Sequence, residues 1–295
     1  MAMKLTVDGE SVTAPNLPQP AIHPLFFARL TYSSTNSVAA LLFILPFYWM
    51  LLSSLRPGAD FYQLPFPLFP QQFRLDNYQE LFARTSFGRG LLNSAFLGLL
   101  AVMLQVFFCA LAGYTFAKLR FWGRDPLFLG ILATIMIPSG VGLIPNFIIM
   151  ARIHWVDTYW PLIIPGIANA FGIFWMRQYC QSLPDELLHA ARIDGAGEFG
   201  AFWRVVLPVI QPGLASLAIF VFLATWNDFL APLVFLRSEE LFTVQLWLSI
   251  VSRQGNLFQP HLIMAGSVLA SLPVVLLFAT LQRYFIAGLT AGSVK

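Results

Sequence analysis

Apolar and polar residues alternate along this chain on two length scales. On the longer scale, six apolar stretches recur at 38–55, 91–117, 127–150, 160–179, 210–236 and 262–286. Each is near or beyond the roughly 20 residues that a helix needs to cross a bilayer. A long polar connection with Pro and Phe, 56–90, separates the first two. The remaining connections are short, apart from 182–208 and 237–261. The pattern predicts an all-α, polytopic membrane protein of about six transmembrane helices.

On the shorter scale, the stretch 182–208, SLPDELLHAARIDGAGEFGAFWRVVLP, gathers two Glu, two Asp and two Arg between long apolar runs. Ser182 is the expected N-cap, with Pro184, Asp185 and Glu186 in a first turn where the helix dipole favours negative charge. Leu187, Ala190, Ala191 and Asp194 follow at spacings of three and four, which puts them on one face that small side chains leave open to close approach. Gly195 and Gly197 are expected to end the helix, since glycine takes the left-handed conformation cheaply. A second amphipathic turn sets Phe199, Phe202, Trp203 and Val206 against Glu198 and Arg204, and Pro208 starts the next span. The prediction is a polar helix–turn–helix at the membrane surface, placed for a soluble partner to grip. On periodicity alone, an ordinary helical connector fits equally well. Gly195, Gly197 and Gly200 also spell GxGxxG, but a dinucleotide site needs that motif between a strand and a helix, so it is rejected.

Composition narrows the class. Of 295 residues, 58% are hydrophobic and only 11% charged, with a mean hydropathy of +0.71; soluble domains run at about 25% charged. The net charge of +3 is small and dispersed, which excludes a nucleic-acid surface. Cys109 and Cys180 both fall in apolar runs, as small core residues do, and suggest neither a disulfide framework nor a metal site.

Lys and Arg orient the spans. The second connection, KLRFWGRD, holds Lys118, Arg120 and Arg124, and Arg177, Arg192 and Arg204 flank or occupy the fourth; the third has only Arg152. Connections two and four are therefore expected inside, with both termini cytoplasmic in a bacterial inner membrane, although the first connection also carries four Arg. Tyr48 with Trp49, and Trp155 with Tyr159 and Trp160, suit interfacial belts. Residues 1–36 read as a polar, proline-bearing cytoplasmic segment, and no cleavable signal peptide is expected. Residues 37–290 form the membrane domain and 291–295 a cytoplasmic tail. Pro138, Pro145, Pro161, Pro165, Pro212, Pro232 and Pro273 lie in or beside spans, where proline is either tolerated or bends helices.

No Walker A, HExxH or GxSxG pattern occurs, and His23, His154, His189 and His261 are scattered. No enzymatic activity and no metal or other cofactor are expected in this chain. Asp228, in TWNDFLAP, is the costliest charge near a span and so a candidate for the pathway; hydration at the outer interface, with Trp226 as anchor, is its duller role. Asn146 and Asn169 are further pathway candidates, with interhelical hydrogen bonding as the alternative.

The 182–208 stretch resembles the EAA loop of ABC importer permeases, through Ala190, Ala191, Asp194, Gly195, Ala196, Phe202, Leu207 and Pro208. The segments FYWMLLSSLRP, LAGYTFAKLRFWGRD, FGIFWMRQYCQSLPDEL, FLATWNDFLAPLVFL and LQRYFIAGLTAGSVK extend the likeness from about residue 46 to the end. They resemble the second permease of the maltose-type carbohydrate branch. The resemblance implies a coupling helix that docks on an ATPase subunit through Glu186, His189, Ala190, Ala191, Asp194, Gly195 and Ala196. It implies a homologous second permease, two ATPase subunits that bind ATP and Mg, an extracytoplasmic solute-binding protein, and an oligosaccharide or related sugar as substrate. It also implies binding-protein contact around Arg253, Gln254, Gly255 and Asn256, and a tail, Thr290–Lys295, along the ATPase interface. One position departs: the family usually has Glu where this chain has His189, so the usual ion pair to the ATPase is not implied there. The rivals are an ion-coupled secondary transporter, a membrane scaffold without transport, and an ABC permease for a non-sugar solute.

Overall fold

The computed structural model describes residues 6–7, 10–11, 41–63, 69, 72–250 and 259–290. The expected binding-protein contact, Arg253 to Asn256, and residues 291–295 of the tail lie outside them, as does most of segment 1–36. Two compact units are distinguished, Met1–Trp49 and Met50–Lys295. The first contains a minimal antiparallel ladder of β1 (Thr6–Val7) and β2 (Glu10–Ser11), pairing Thr6 with Ser11 and Val7 with Glu10. All other described regular structure is helical.

The helices are α1 (Leu41–Ser54), α2 (Asp76–Arg84), α3 (Phe87–Lys118), α4 (Arg124–Ala133), α5 (Leu143–Arg152), α6 (Trp160–Ile163) and α7 (Ala170–Gln181). They continue with α8 (Asp185–Ile193), α9 (Glu198–Ala201), α10 (Leu207–Val209), α11 (Gln211–Asn227), α12 (Leu230–Phe235), α13 (Val244–Ile250) and α14 (Pro260–Thr290). By length and apolarity, α3 and Pro260–Leu281 of α14 can each cross a membrane unbroken. Two bent pairs bring the number to as many as four: Arg124–Met136 with Gly140–Arg152, at 90°, and Glu198–Val209 with Gln211–Asn227, at 81°. The remaining apolar stretches are divided more finely than expected. In 160–179, for example, α6 gives way to a 3-10 turn, Ile164–Gly166, before α7 begins.

Proline explains most of these divisions. The residue before a proline is pushed out of the α region, and Ile137 before Pro138 is extended (ψ 116°), which makes the 90° corner between α4 and α5. Pro145, Pro161, Pro212 and Pro232 sit in the first turns of α5, α6, α11 and α12. There the missing N–H costs no hydrogen bond. These prolines open helices and do not kink them; Pro273, inside α14, is the exception.

The core lies along α3, which packs mainly against α7 and α11. Its C-terminal half joins a cluster with Met176, Cys180, Leu188, Phe202, Val206 and Leu217. Its N-terminal end joins a second with Leu81, Trp226, Val244, Trp247 and Leu262. The α3–α7 contact is close because both helices offer glycine: a Cβ on Gly113 would fall 2.6 Å from Met176 Cβ, and one on Gly172 2.6 Å from Cys109 Sγ. Small residues are what let membrane helices approach this far. Cys109 and Cys180 are free and buried, in keeping with core roles.

Two of the longer connections contain helices. Between α1 and α3 lie a 3-10 turn, Gly58–Tyr62, and α2. Asn77 at the start of α2 donates Nδ2 to the carbonyls of Ser54 (2.8 Å) and Arg56 (2.9 Å), which satisfies the end of α1. In 237–261, α13 is buried through Val244, Leu246 and Trp247.

Candidate functional site

The polar elbow forms as a unit between α7 and α11. Ser182 is not its N-cap: it closes α7, donating Oγ to Tyr179 O (2.8 Å), and Pro184 occupies the N-cap position of α8 with no side-chain cap. The end of α8 is a Schellman turn. Ala196 N donates to Ala191 O (2.9 Å), Gly195 N donates to Arg192 O (3.1 Å), and Gly195 takes φ +83°. Gly197, at φ −68°, is ordinary extended backbone. The chain then re-enters a helix whose turn Phe202–Val206 is widened to π geometry, with Leu207 N donating to Phe202 O. This wider register precedes Pro208, which has no N–H to continue an α ladder.

The elbow has two faces. Leu188 and Ala191 (8% exposed) turn inward onto Ala201, Phe202 and Val206. Ala191 therefore does not share the open face expected for it, because α8 uses that position to seat itself. Glu186, Leu187, His189, Ala190, Asp194 and Gly195 are all exposed, and Ala196 is half-buried. Ile193 (86% exposed), Phe199 and Trp203 extend this outer surface, the last two stacked with ring centroids 6.4 Å apart.

Two polar ties hold the elbow to α3, and a third closes the elbow on itself. Lys118 Nζ, at the end of α3, donates to Asp185 Oδ1 (2.6 Å) and Leu183 O (2.5 Å). Arg192 grips Glu198 across the turn (Nε–Oε1 2.9 Å, Nη2–Oε2 3.3 Å). Tyr114 OH donates to the same carboxylate at Oε2 (2.9 Å). The Lys118 hydrogen bond holds the Asp185 carboxyl below its ordinary range. Periodicity did not reveal these ties. The available signal was opposite charge at two helix ends, Lys118 closing α3 and Asp185 opening α8.

The pathway candidates are not brought together. Asn169 is the N-cap of α7: its Oδ1 accepts from Gly172 N (2.7 Å), and its Nδ2 donates to Gln105 Oε1 of α3 (2.9 Å). Asp228 is half-buried in the break after α11 and accepts from Ala231 N (3.2 Å), capping the next helix. Trp226 is no interfacial anchor; it is buried and donates Nε1 to Ala270 O (3.1 Å). Asn146 is half-buried on α5.

Far along the chain from the elbow, Asp157 makes a clamp that the sequence did not announce. At φ +63°, its Oδ1 accepts from Arg237 N and Ser238 N (both 2.9 Å) and its Oδ2 from Ser238 Oγ (2.5 Å). Those donors, the Ser238 hydroxyl foremost, hold its carboxyl below the ordinary range. The connection after α5 is thereby fixed to the one after α12.

Fold and site together define a predominantly helical, multi-pass membrane protein with a structured polar elbow beside an apolar body. The model of the family described as "Binding-protein-dependent transport system inner membrane component" matches residues 108–290, more than half of the chain and inclusive of the elbow. The chain belongs to that family. It is 38% identical over 271 residues to the arabinooligosaccharides transport system permease protein AraQ of Bacillus subtilis (strain 168), covering 90% of this chain and 96% of AraQ. It is 33% identical over 264 residues to the lactose transport system permease protein LacG of Rhizobium radiobacter, with coverages of 89% and 94%. Among solved structures, one chain of a bacterial ABC transporter involved in the import of the acidic polysaccharide alginate superposes with a TM-score of 0.81. That match has 25% identity and covers 91% of this chain and 100% of that one.

Proposed function

We propose that this chain is a permease subunit of an ATP-driven, binding-protein-dependent importer of oligosaccharides or related sugars. Near-complete coverage of permeases named for arabinooligosaccharides and lactose supports the sugar class. A homologous second permease supplies the other half of the pathway, a solute-binding protein delivers the sugar, and two partner ATPase subunits bind ATP and Mg and hydrolyse the nucleotide. The protein sits in the bacterial inner membrane with both termini and the elbow inside the cell. In this reading the ATPases press on Glu186, His189, Ala190, Asp194 and Gly195, while Ala191 and Ala196 carry the load into the core. Asn146, Asn169 and Asp228 are the pathway candidates, Asn169 also contributing through its cap and its link to α3.

The observation that carries the coupling role is the division of α8 into an exposed face and a seated face, tied to α3 through Lys118. A ligand or partner shifts an equilibrium only through differential contacts with its states, and the exposed face is where such contacts can form. Ala190→Arg tests this without disturbing the core. Folded protein that no longer co-purifies with the ATPases and no longer takes up sugar is expected; unchanged uptake with unchanged binding-protein-stimulated hydrolysis overturns the docking role.

A further inference from the structure

At the corner between α3 and α4 the chain turns through Gly123 (φ +81°), and two hollows meet there, sharing Arg120 and Phe121. The outer hollow, of about 500 Å³, is lined by Arg120, Gly123, Arg124, Asp125 and Pro126 as well as Phe121. The inner one, of about 640 Å³, reaches Lys118 and Asp185 beneath α8. Trp122, between the two arginines, is 98% exposed. Beyond the corner, Leu127 and Leu129 are exposed on α4.

The charges do not cancel. Arg124 pairs with Asp125 through Nε (2.9 Å) and Nη2 (3.4 Å), which leaves its Nη1 for a further acceptor, and Lys118 pairs with Asp185 (2.6 Å). Arg120 has no ion-pair partner among the described residues. Arg177, stacked 4.1 Å above the Phe128 ring, adds its field at Asp125. An exposed tryptophan at the end of a membrane helix is placed for the headgroup layer, where its ring stays apolar on one side and wet on the other. With Trp122 in that layer, the exposed leucines of α4 would face acyl chains, and Arg120 and Arg124 beside it would lie near the lipid phosphates. Guanidinium forks match the geometry of phosphate oxygens.

We propose that this corner is a binding site for the headgroup phosphate of an anionic phospholipid. The phosphate bridges Arg120 and Arg124, Trp122 lies against the glycerol region, and the chains run along Leu127 and Leu129. A lipid is favoured over a free anion because the hollow opens beside exposed apolar side chains, which a free anion does not use. The site stands on the membrane-protein class alone and is independent of the coupling role of the elbow.

The test uses the assembled transporter in bilayer discs of phosphatidylcholine with and without phosphatidylglycerol, with retained lipids counted by native mass spectrometry. Wild type is expected to keep phosphatidylglycerol in preference to phosphatidylcholine. Retention should fall roughly 30-fold in R120Q/R124Q, both basic groups being lost near the surface. R152Q, distant in the chain, should leave it unchanged. Equal retention in R120Q/R124Q overturns the proposal. So does displacement of the lipid by excess inorganic phosphate, which identifies a free-anion site. Loss of the ATPase subunits at unchanged lipid count also overturns it, because the corner is then a protein contact.

Discussion

The α3–α7 seam and the α4–α5 pair are both apolar, yet they behave in opposite ways. In the seam, Gly113 and Gly172 bring two helices into close contact, and Met176 and Cys180 are fully buried. In the pair, Pro138 turns the chain through 90°, most side chains on both arms are exposed, and no heavy atom comes within 4 Å of a Cβ placed on Gly130, Gly140 or Gly142. The contrast separates a tightly packed part from a loosely packed one. Lys118 ties the elbow to the first of these.

The largest expected effect comes from forcing the seam apart. Gly113→Leu has to displace backbone at Arg177 N, 2.7 Å from the new Cβ, and should cost about 3 kcal/mol or more, read as loss of folded protein from the membrane. Gly130→Leu, in open space, should be neutral in the same assay. Equal losses would erase the distinction between the two regions.

Next in size is Pro138→Ala. Removing the proline lets Ile137 return to helical geometry, and uptake should fall about tenfold, the scale of a typical coupling energy, while expression stays normal. Unchanged uptake would show that the corner is only a packing accommodation.

Smaller effects sharpen the tie between elbow and seam. Gly195→Ala places a Cβ at φ +83° and should weaken the Schellman turn by about 1–2 kcal/mol, seen as faster amide exchange at Gly195 and Ala196 with α3 unaffected. Acid should loosen the same elbow from Lys118. Because the folded-state pKa of Asp185 is lowered, its contribution is complete above the unfolded value of about 4 and is lost as pH falls through the folded value. ATPase co-purification should decline across that acid range, and in D185N the decline attributable to this group should be absent.

Much of this was legible in the sequence, for definable reasons. A helical membrane protein follows from long apolar runs, and the elbow stands out because six charges are gathered between runs that hold one each, Arg177 and Asp228. Gly195 as the terminator of α8 was also readable, since the turn demands a left-handed residue. What escaped depends on contacts distant in sequence or on local competition. Ser182 and Pro184 both qualified as helix-starting residues, and only the backbone shows that Ser182 closes the preceding helix. Ala190 and Ala191 are adjacent and chemically identical; their opposite exposure is set by Phe202 and Val206. That Asn169 also caps α7 could not be read either, because it depends on the chain leaving helical geometry after the 3-10 turn Ile164–Gly166. The Asp157 clamp joins positions some 80 residues apart, which no periodicity records.

The two adjacent alanines also give the most direct test of whether the exposed face of α8 meets an ATPase inside the cell. In the assembled transporter, Ala190→Cys and Ala191→Cys would be probed with a membrane-impermeant thiol reagent from either side and with a short bifunctional cross-linker. The native Cys109 and Cys180 are buried and should give little background. Labelling of Ala190→Cys from the cytoplasmic side alone, with cross-linking to the ATPase and little reaction at Ala191→Cys, is the predicted result. Labelling of Ala190→Cys from the outside, or free labelling from inside without any cross-link to the ATPase, contradicts it.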